Sequence, residues 1–262
     1  MRSDQSSTTL PLLQINDLCV GQRLSVAQLT IRAGSLYVIL GSNGAGKSTL
    51  LATLAGMPTE FQGSVQFVGS PIQHWGVSEL ASRRSYLAQE ITSQFALTVA
   101  ELLRFYATTV VIPEAVDAAL QISNFLDTPL SQLSGGELQR VQIARILLQH
   151  WSLLLHGDGV LLLDEPLQGL DIVFQLHVME LLAELQRTGN CIIMTCHDIN
   201  LAYRYATHAM LLRKGEIVAE GQVDKVVTTA NLAQCYECHF YLNYSENAYE
   251  FFTSALNSHA RL

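Results

Sequence analysis

Charge is scarce in this chain. Asp, Glu, Lys and Arg make up 15% of its 262 residues, against about a quarter in an average soluble domain. The mean hydropathy is +0.23, so apolar surface is expected to be hidden against other proteins, in an oligomer or on a membrane-embedded partner. Long apolar runs are missing too. The longest candidate, Leu147 to Leu163, is broken by His150, His156, Gly157 and Asp158, short of the ~18 unbroken residues of a span, so the chain is not expected to cross a membrane itself. No Lys/Arg stripe is present and the net charge is −8, which argues against nucleic acid as a partner. The first residues are polar, with no apolar segment like that of a signal peptide, and the cytosol is the expected compartment. Its five cysteines are then expected as reduced thiols. Cys235-Tyr236-Glu237-Cys238-His239 matches C-x-x-C-H. Haem attachment at that pattern belongs to exported proteins, and no second ligand pair at zinc spacing is found, so the pattern reads as structural.

What the chain does contain is organised around Gly41-Ser42-Asn43-Gly44-Ala45-Gly46-Lys47-Ser48-Thr49. This is G-x-x-x-x-G-K-S, the phosphate-binding P-loop. Leu36 to Leu40 before it suits a strand buried on both faces, and Lys47 to Ala55 after it suits a helix stopped by Gly56. Glycines allow positive φ and turn backbone N–H groups inward, where the helix N-terminus adds partial positive charge. Lys47 is expected on the β- and γ-phosphates of a nucleotide and Ser48 on Mg²⁺.

Residues 12 to 31 alternate weakly between apolar and polar, as strands of a half-exposed antiparallel sheet do, and Ser64 to Val68, closed by Gly69-Ser70-Pro71, adds another. From Thr98 the period becomes helical: Val99, Leu102, Leu103 and Tyr106 share a face, and a second helix is predicted from Glu114 to Ile122. Leu133-Ser134-Gly135-Gly136-Glu137-Leu138-Gln139-Arg140 then opens a long helix. Ser134 and Glu137 make a capping box, and the two glycines leave N–H groups bare at a second helix N-terminus. The apolar strand Val160 to Leu163 delivers Asp164 and Glu165 at its C-terminal end, where open α/β sheets bind ligands. Beside a P-loop, such an Asp partners Mg²⁺ and the Glu can activate a water. Cys191 to Thr195 is another buried strand, followed by His197, a candidate γ-phosphate sensor at the same edge. Gln89 stands where sheet gives way to the helical lobe.

In this order the segments resemble the ATPase subunits of ABC transporters over nearly the whole chain, and Leu133 to Arg140 is similar to the signature that other P-loop ATPases lack. The resemblance implies an α/β P-loop NTPase fold of RecA-like type, with a mainly parallel sheet core, an N-terminal antiparallel β subdomain and an inserted helical subdomain. Residues 1–262 would form one ATPase domain, with 1–89 and 158–225 as catalytic core, 90–157 as the helical insert and 226–262 as a C-terminal extension. It further implies ATP and Mg²⁺ as cofactors. Glu165 would be the catalytic glutamate, His197 the switch histidine, Gln89 the Q-loop, and Asp171 the D-loop, with Ser48, Gln89 and Asp164 toward the metal. A head-to-tail homodimer is implied, with Ser134, Gly135 and Gly136 of one copy closing over the nucleotide of the other. Two permease subunits, and indirectly a periplasmic binding protein, would place it at the cytoplasmic face of a bacterial inner membrane. Gly41 to Ala52, Ala55-Gly56-Met57, the insertion between Gln149 and Val160, and Asn231 to Gln234 followed by Tyr236 are most similar to the cobalamin importers within the family, then to those for iron-siderophores. Haem importers and exporters share the same engine. A soluble repair or translation ATPase would need coiled-coil insertions or a second cassette, and a regulatory module would lack Glu165 or His197. The aromatic residue that stacks on adenine in the family has no counterpart around Val20 to Arg23, so modest discrimination between adenine and guanine is expected.

Overall fold

The computed structural model describes residues 11–88, 97–106, 111–245 and 248–253. Strands β1 (Leu13–Val20) and β2 (Leu24–Ile31) form an antiparallel pair whose inward residues alternate with exposed ones, as a one-sided sheet requires. Strand β3 (Leu36–Leu40) is buried at every position and leads through the glycine loop into α1 (Lys47–Leu54). Strand β4 (Gln62–Phe67) returns antiparallel to β1, and β5 (Ser70–Pro71) folds back on β4. The expected strand end at Val68 is displaced. Val68 and Gly69 both take positive φ (49° and 75°) as the central pair of a two-residue hairpin turn, a type I′ geometry, and Ser70-Pro71 is itself strand.

Helix α2 (Val77–Ala81) and strand β6 (Arg84–Leu87) precede the helical lobe. This contains α3 (Val99–Arg104), α4 (Glu114–Leu120), α5 (Gly135–Gln149) and α6 (Trp151–His156). Helix α4 stops two residues before the expected Ile122 because Gln121 turns left-handed, with φ 51°, and a 3₁₀ turn takes over. The chain continues through β7 (Val160–Leu163), α7 (Ile172–Arg187), β8 (Cys191–Thr195), α8 (Ile199–Tyr205), β9 (His208–Arg213), β10 (Glu216–Gln222), α9 (Val223–Val226) and α10 (Thr229–Tyr236). It closes with the hairpin β11 (Phe240–Ser245) and β12 (Ala248–Thr253).

The parallel strands run β9-β3-β8-β7-β6, and the antiparallel ones continue the same ten-stranded sheet as β5-β4-β1-β2-β10 beyond β9. The expected antiparallel subdomain is therefore continuous with the core: β10 pairs along its length with β9, and β2 joins β10 at one register pair among the described residues, Ser25 with Glu216. Strand alternation sorts the core into two layers. Leu36, Val38 and Leu40 pack with Leu161, Leu163, Ile192, Met194 and the helices α5 and α7. Tyr37 and Ile39 point oppositely, to Leu50, Leu51 and Leu54 of α1 and the antiparallel strands. Burying each such side chain stabilises by about 1.5–3 kcal/mol, which is why the parallel strands are apolar throughout. The C-terminal segment is packed against the core. Asn200 on α8 donates to the Phe251 carbonyl (3.1 Å) and accepts from its N–H (2.8 Å), while the Tyr203 and Phe251 rings meet at 5.2 Å.

Candidate active site

The register Ile39 with Thr195, and Leu163 with Met194, ends β3, β7 and β8 at one edge of the sheet. Gly41, Asp164, Glu165 and His197 therefore converge although more than 150 residues separate the first from the last. At Gly41, φ is +152° and a Cβ would lie 2.2 Å from the Leu212 carbonyl oxygen, so no side chain fits there. Gly44 and Gly46 also take positive φ, 78° and 105°. The N-terminus of α1 has no side-chain cap, which leaves its N–H groups aimed at the cleft. Lys47, 5% exposed, folds back to donate to the carbonyls of Gly41 (2.9 Å) and Ser42 (3.1 Å). Burial pushes its pKa down, opposed by the carboxylates of Glu165 and Asp164. A buried cation held by carbonyls alone among the described residues suits an incoming phosphate.

Asp164 is 3% exposed and accepts from the Thr195 hydroxyl at 2.8 Å. The same hydroxyl accepts from the Glu165 N–H at 2.7 Å, so Thr195 bridges the two acidic positions. Glu165 sits at φ 49°, a conformation costing about 1–2 kcal/mol for a side-chain-bearing residue and common where geometry serves chemistry. Its Oε1 lies 2.9 Å from His197 Nε2. Glu165 and His197 line a cleft of about 700 Å³ together with Asn43, Gly44, Gly46, Lys47, Ser48 and Thr49. A carboxylate and a serine hydroxyl are hard-oxygen donors of the kind that Mg²⁺ takes, so the chemistry of Asp164 and Ser48 suits that ion. Gln89 lies outside the described residues.

The signature forms a separate cavity. Ser134, Gly136, Glu137 and Arg140 line it with Gly169, Leu170, Asp171 and Phe174, and none of them lines the cleft at the P-loop. The capping box is formed: Ser134 N–H donates to Glu137 Oε2 at 2.8 Å and Glu137 N–H to Ser134 Oγ at 3.3 Å. These bonds from the Ser134 hydroxyl and N–H hold the Glu137 carboxyl below its usual range. Asp171 caps α7 through the N–H groups of Val173 and Phe174, both 3.0 Å. Gln139 donates to the Pro166 carbonyl at 3.0 Å, tying the signature helix to the loop after Glu165.

Sequence reasoning did not single out Thr195, Gln139, Arg23 or Lys214. Thr195 carries no motif and Gln139 lies within the signature without a role of its own there; both gain their place only when β8 and α5 dock. The C-terminal segment, far in sequence from the phosphate motifs, is close in space. Cys235 is buried on α10 with its thiol 3.5 Å from the Leu212 carbonyl, the group that abuts Gly41. Burial pushes that thiol up to about 11, so it stays protonated. Tyr37 is core, stacked on His208 at 4.6 Å.

Comparison with known proteins agrees with this architecture. The family model described as ABC transporter matches residues 24–168. The vitamin B12 import ATP-binding protein BtuD of Escherichia coli strain UTI89 is 39% identical, over 87% of this chain and 93% of that protein. Among solved structures, part of the ABC transporter complex cbiONQ from Clostridium perfringens superposes with TM-score 0.65 and 27% identity, covering 86% of this chain and 93% of that one. An ATP-binding subunit of an ABC transporter gives TM-score 0.68 at 24% identity, covering 82% and 91%. A P-loop, a signature helix and a paired Glu and His on one sheet edge are thus accounted for together: the chain is an ATPase subunit of the ABC transporter family.

Proposed function

We propose that this chain powers uptake of vitamin B12, as two copies working head to tail beneath two membrane permease subunits. The cargo rests on likeness to BtuD over almost the whole length, since none of the residues described above recognises a transported molecule. The dimer rests on the geometry of the monomer: the uncapped N-terminus of α1 and the glycine-led N-terminus of α5 line different cavities, and a second copy brings one to the other. Ile172 and Val173, 72% and 53% exposed beside Asp171, are the apolar surface such a contact would cover. Phe105 and Val111, each 73% exposed on the helical lobe, offer a comparable surface toward a permease.

In this reading Lys47 and the loop amides bind the triphosphate, Ser48 and Asp164 hold Mg²⁺, and the metal neutralises developing charge on the phosphates. Glu165 orients the attacking water and takes its proton, while His197 holds the Glu165 carboxylate in place and contacts the γ-phosphate. Gly135 and Gly136 of the partner copy, with Ser134 beside them, complete the phosphate cage through the glycine N–H groups. The gain comes from positioning and electrostatics.

The observation that carries the enzymatic part is the direct pairing of Glu165 with His197 at the mouth of the phosphate cleft. Deleting the gene is expected to abolish high-affinity uptake of labelled cobalamin, restored by the wild-type chain and not by Glu165→Gln. Uptake that persists while ferric-siderophore uptake fails would move the cargo to the siderophores. No change in either would end the importer reading.

A further inference from the structure

The P-loop is flanked differently on its two sides. Strands β8 and β7 lie on one side of β3 and bring Glu165 and His197, the hydrolytic flank. Strands β9, β10 and β2 lie on the other, and from them Arg23 and Lys214 line the same cleft with Gln22. A triphosphate whose last phosphate faces Glu165 must send its ribose and base toward this second flank. Among the described residues no Phe, Tyr or Trp lines the cleft, and its one imidazole, His197, is on the hydrolytic flank; the flat group on the second flank is the guanidinium of Arg23.

This flank is built with care. Arg213 pairs with Glu216 across a two-residue turn in which Lys214 and Gly215 both take positive φ, 49° and 84°. A lysine in that conformation is strained, and the turn is tied down on several sides. Gly215 N–H donates to the Ala45 carbonyl at 2.9 Å, and Ser25 N–H donates to the Gly215 carbonyl at 2.7 Å. Arg213 donates to the Gln234 carbonyl at 3.0 Å and pairs with Glu237, which also draws in Lys214 Nζ at 3.4 Å. The Arg23 backbone is packed from behind by Gly46 and Gly215, where an added Cβ would come 3.0 Å and 2.7 Å from its carbonyl oxygen, and its N–H donates to the Val20 carbonyl at 3.0 Å. The Arg23 side chain has no hydrogen bond or ion pair among the described residues.

We infer that Arg23 and Lys214 bind the base and ribose of the nucleotide, with the Arg23 guanidinium as the plane on which the base rests and Glu237 positioning Lys214. This rests on the nucleotide reading above and adds a role for the C-terminal extension: Glu237, just past α10, sets one wall of the cleft. Guanidinium planes stack on flat rings as aromatics do. The contact is indifferent to the pattern of donors on the base, so ATP and GTP should bind similarly.

The test is calorimetric binding of Mg-ATP, Mg-GTP and inorganic tripolyphosphate to the full chain. Arg23→Ala is expected to weaken ATP by about three- to thirtyfold and leave tripolyphosphate unchanged. Arg23→Lys, which keeps the charge and loses the plane, should weaken ATP nearly as much. Glu237→Gln should weaken ATP in the wild-type background and have no effect in Lys214→Ala, a non-additivity that general loosening of the fold would not produce. Lys47→Ala should lose all three ligands. Equal losses of ATP and tripolyphosphate on Arg23→Ala, or none, overturn this inference alone. Wild-type protein that binds neither overturns the nucleotide reading with it.

Discussion

Thr195 is the residue on which two functions converge. Its hydroxyl donates to the buried Asp164 carboxylate and accepts from the N–H of Glu165. Thr195→Val keeps the shape and removes both bonds, leaving a buried polar pair unsatisfied at a cost of about 1–3 kcal/mol. Urea unfolding is expected to report that loss, and kcat to fall at least about tenfold, since Glu165 is released from its strained φ. Glu165→Gln differs in kind: isosteric and still able to accept from His197, it should leave ATP affinity nearly intact while turnover is lost. The reach of motif reading ends here. Lys47, Ser48 and Asp164 were legible because their chemistry needs fixed spacing along the chain. Thr195 and Gln139 act across the sheet and across the lobe, and no spacing records a contact made by docking. Arg23 and Lys214 were illegible for another reason, since a cation at a turn is usually solvated surface.

At the scale of elements, alternation and apolar runs located the strands, because a one-sided sheet and a doubly covered one bury different positions. The misplaced ends are local. Val68 reads as the end of the alternating strand from Ser64, yet it occupies a left-handed turn position (φ 49°) that a branched residue fills at a cost. Val68→Asn should relieve it, raising stability by about 1 kcal/mol and the melting temperature by about 2–4 °C. No gain in a thermal scan would mean that Val68 packing offsets the strain. Helix α10 teaches the converse. Its separation in sequence from the P-loop suggested independence, whereas Cys235 abuts the strand behind Gly41. Replacing Cys235 and Cys238 by Ser is still expected to leave hydrolysis and metal content unchanged, because a serine hydroxyl can donate to the same Leu212 carbonyl.

For the whole molecule, P-loop and signature line different cavities, so in the proposed head-to-tail dimer each nucleotide site draws on two chains. A Cβ on Gly135 meets nothing within 4 Å, so Gly135→Asp should fold normally while placing a negative charge where phosphate must dock. Mixed with Lys47→Ala, it forms heterodimers with one intact site, and up to about a quarter of wild-type hydrolysis should return though each parent is inactive. No recovery in the mixture would argue against composite sites. The single rung between Ser25 and Glu216 bears on the same question. Among the described residues it is the only register pair by which β2, and with it β1, β4 and β5, joins β10 and the rest of the sheet, and the cleft straddles it, with Arg23 on one side and the P-loop on the other. Amide hydrogen exchange at Ser25, whose N–H is bonded to Gly215, should therefore report a local opening of the seam well below the free energy of global unfolding. A nucleotide that spans the seam would stitch its two banks together, so that the slowing of this one amide becomes a gauge of occupancy far from the reacting phosphate.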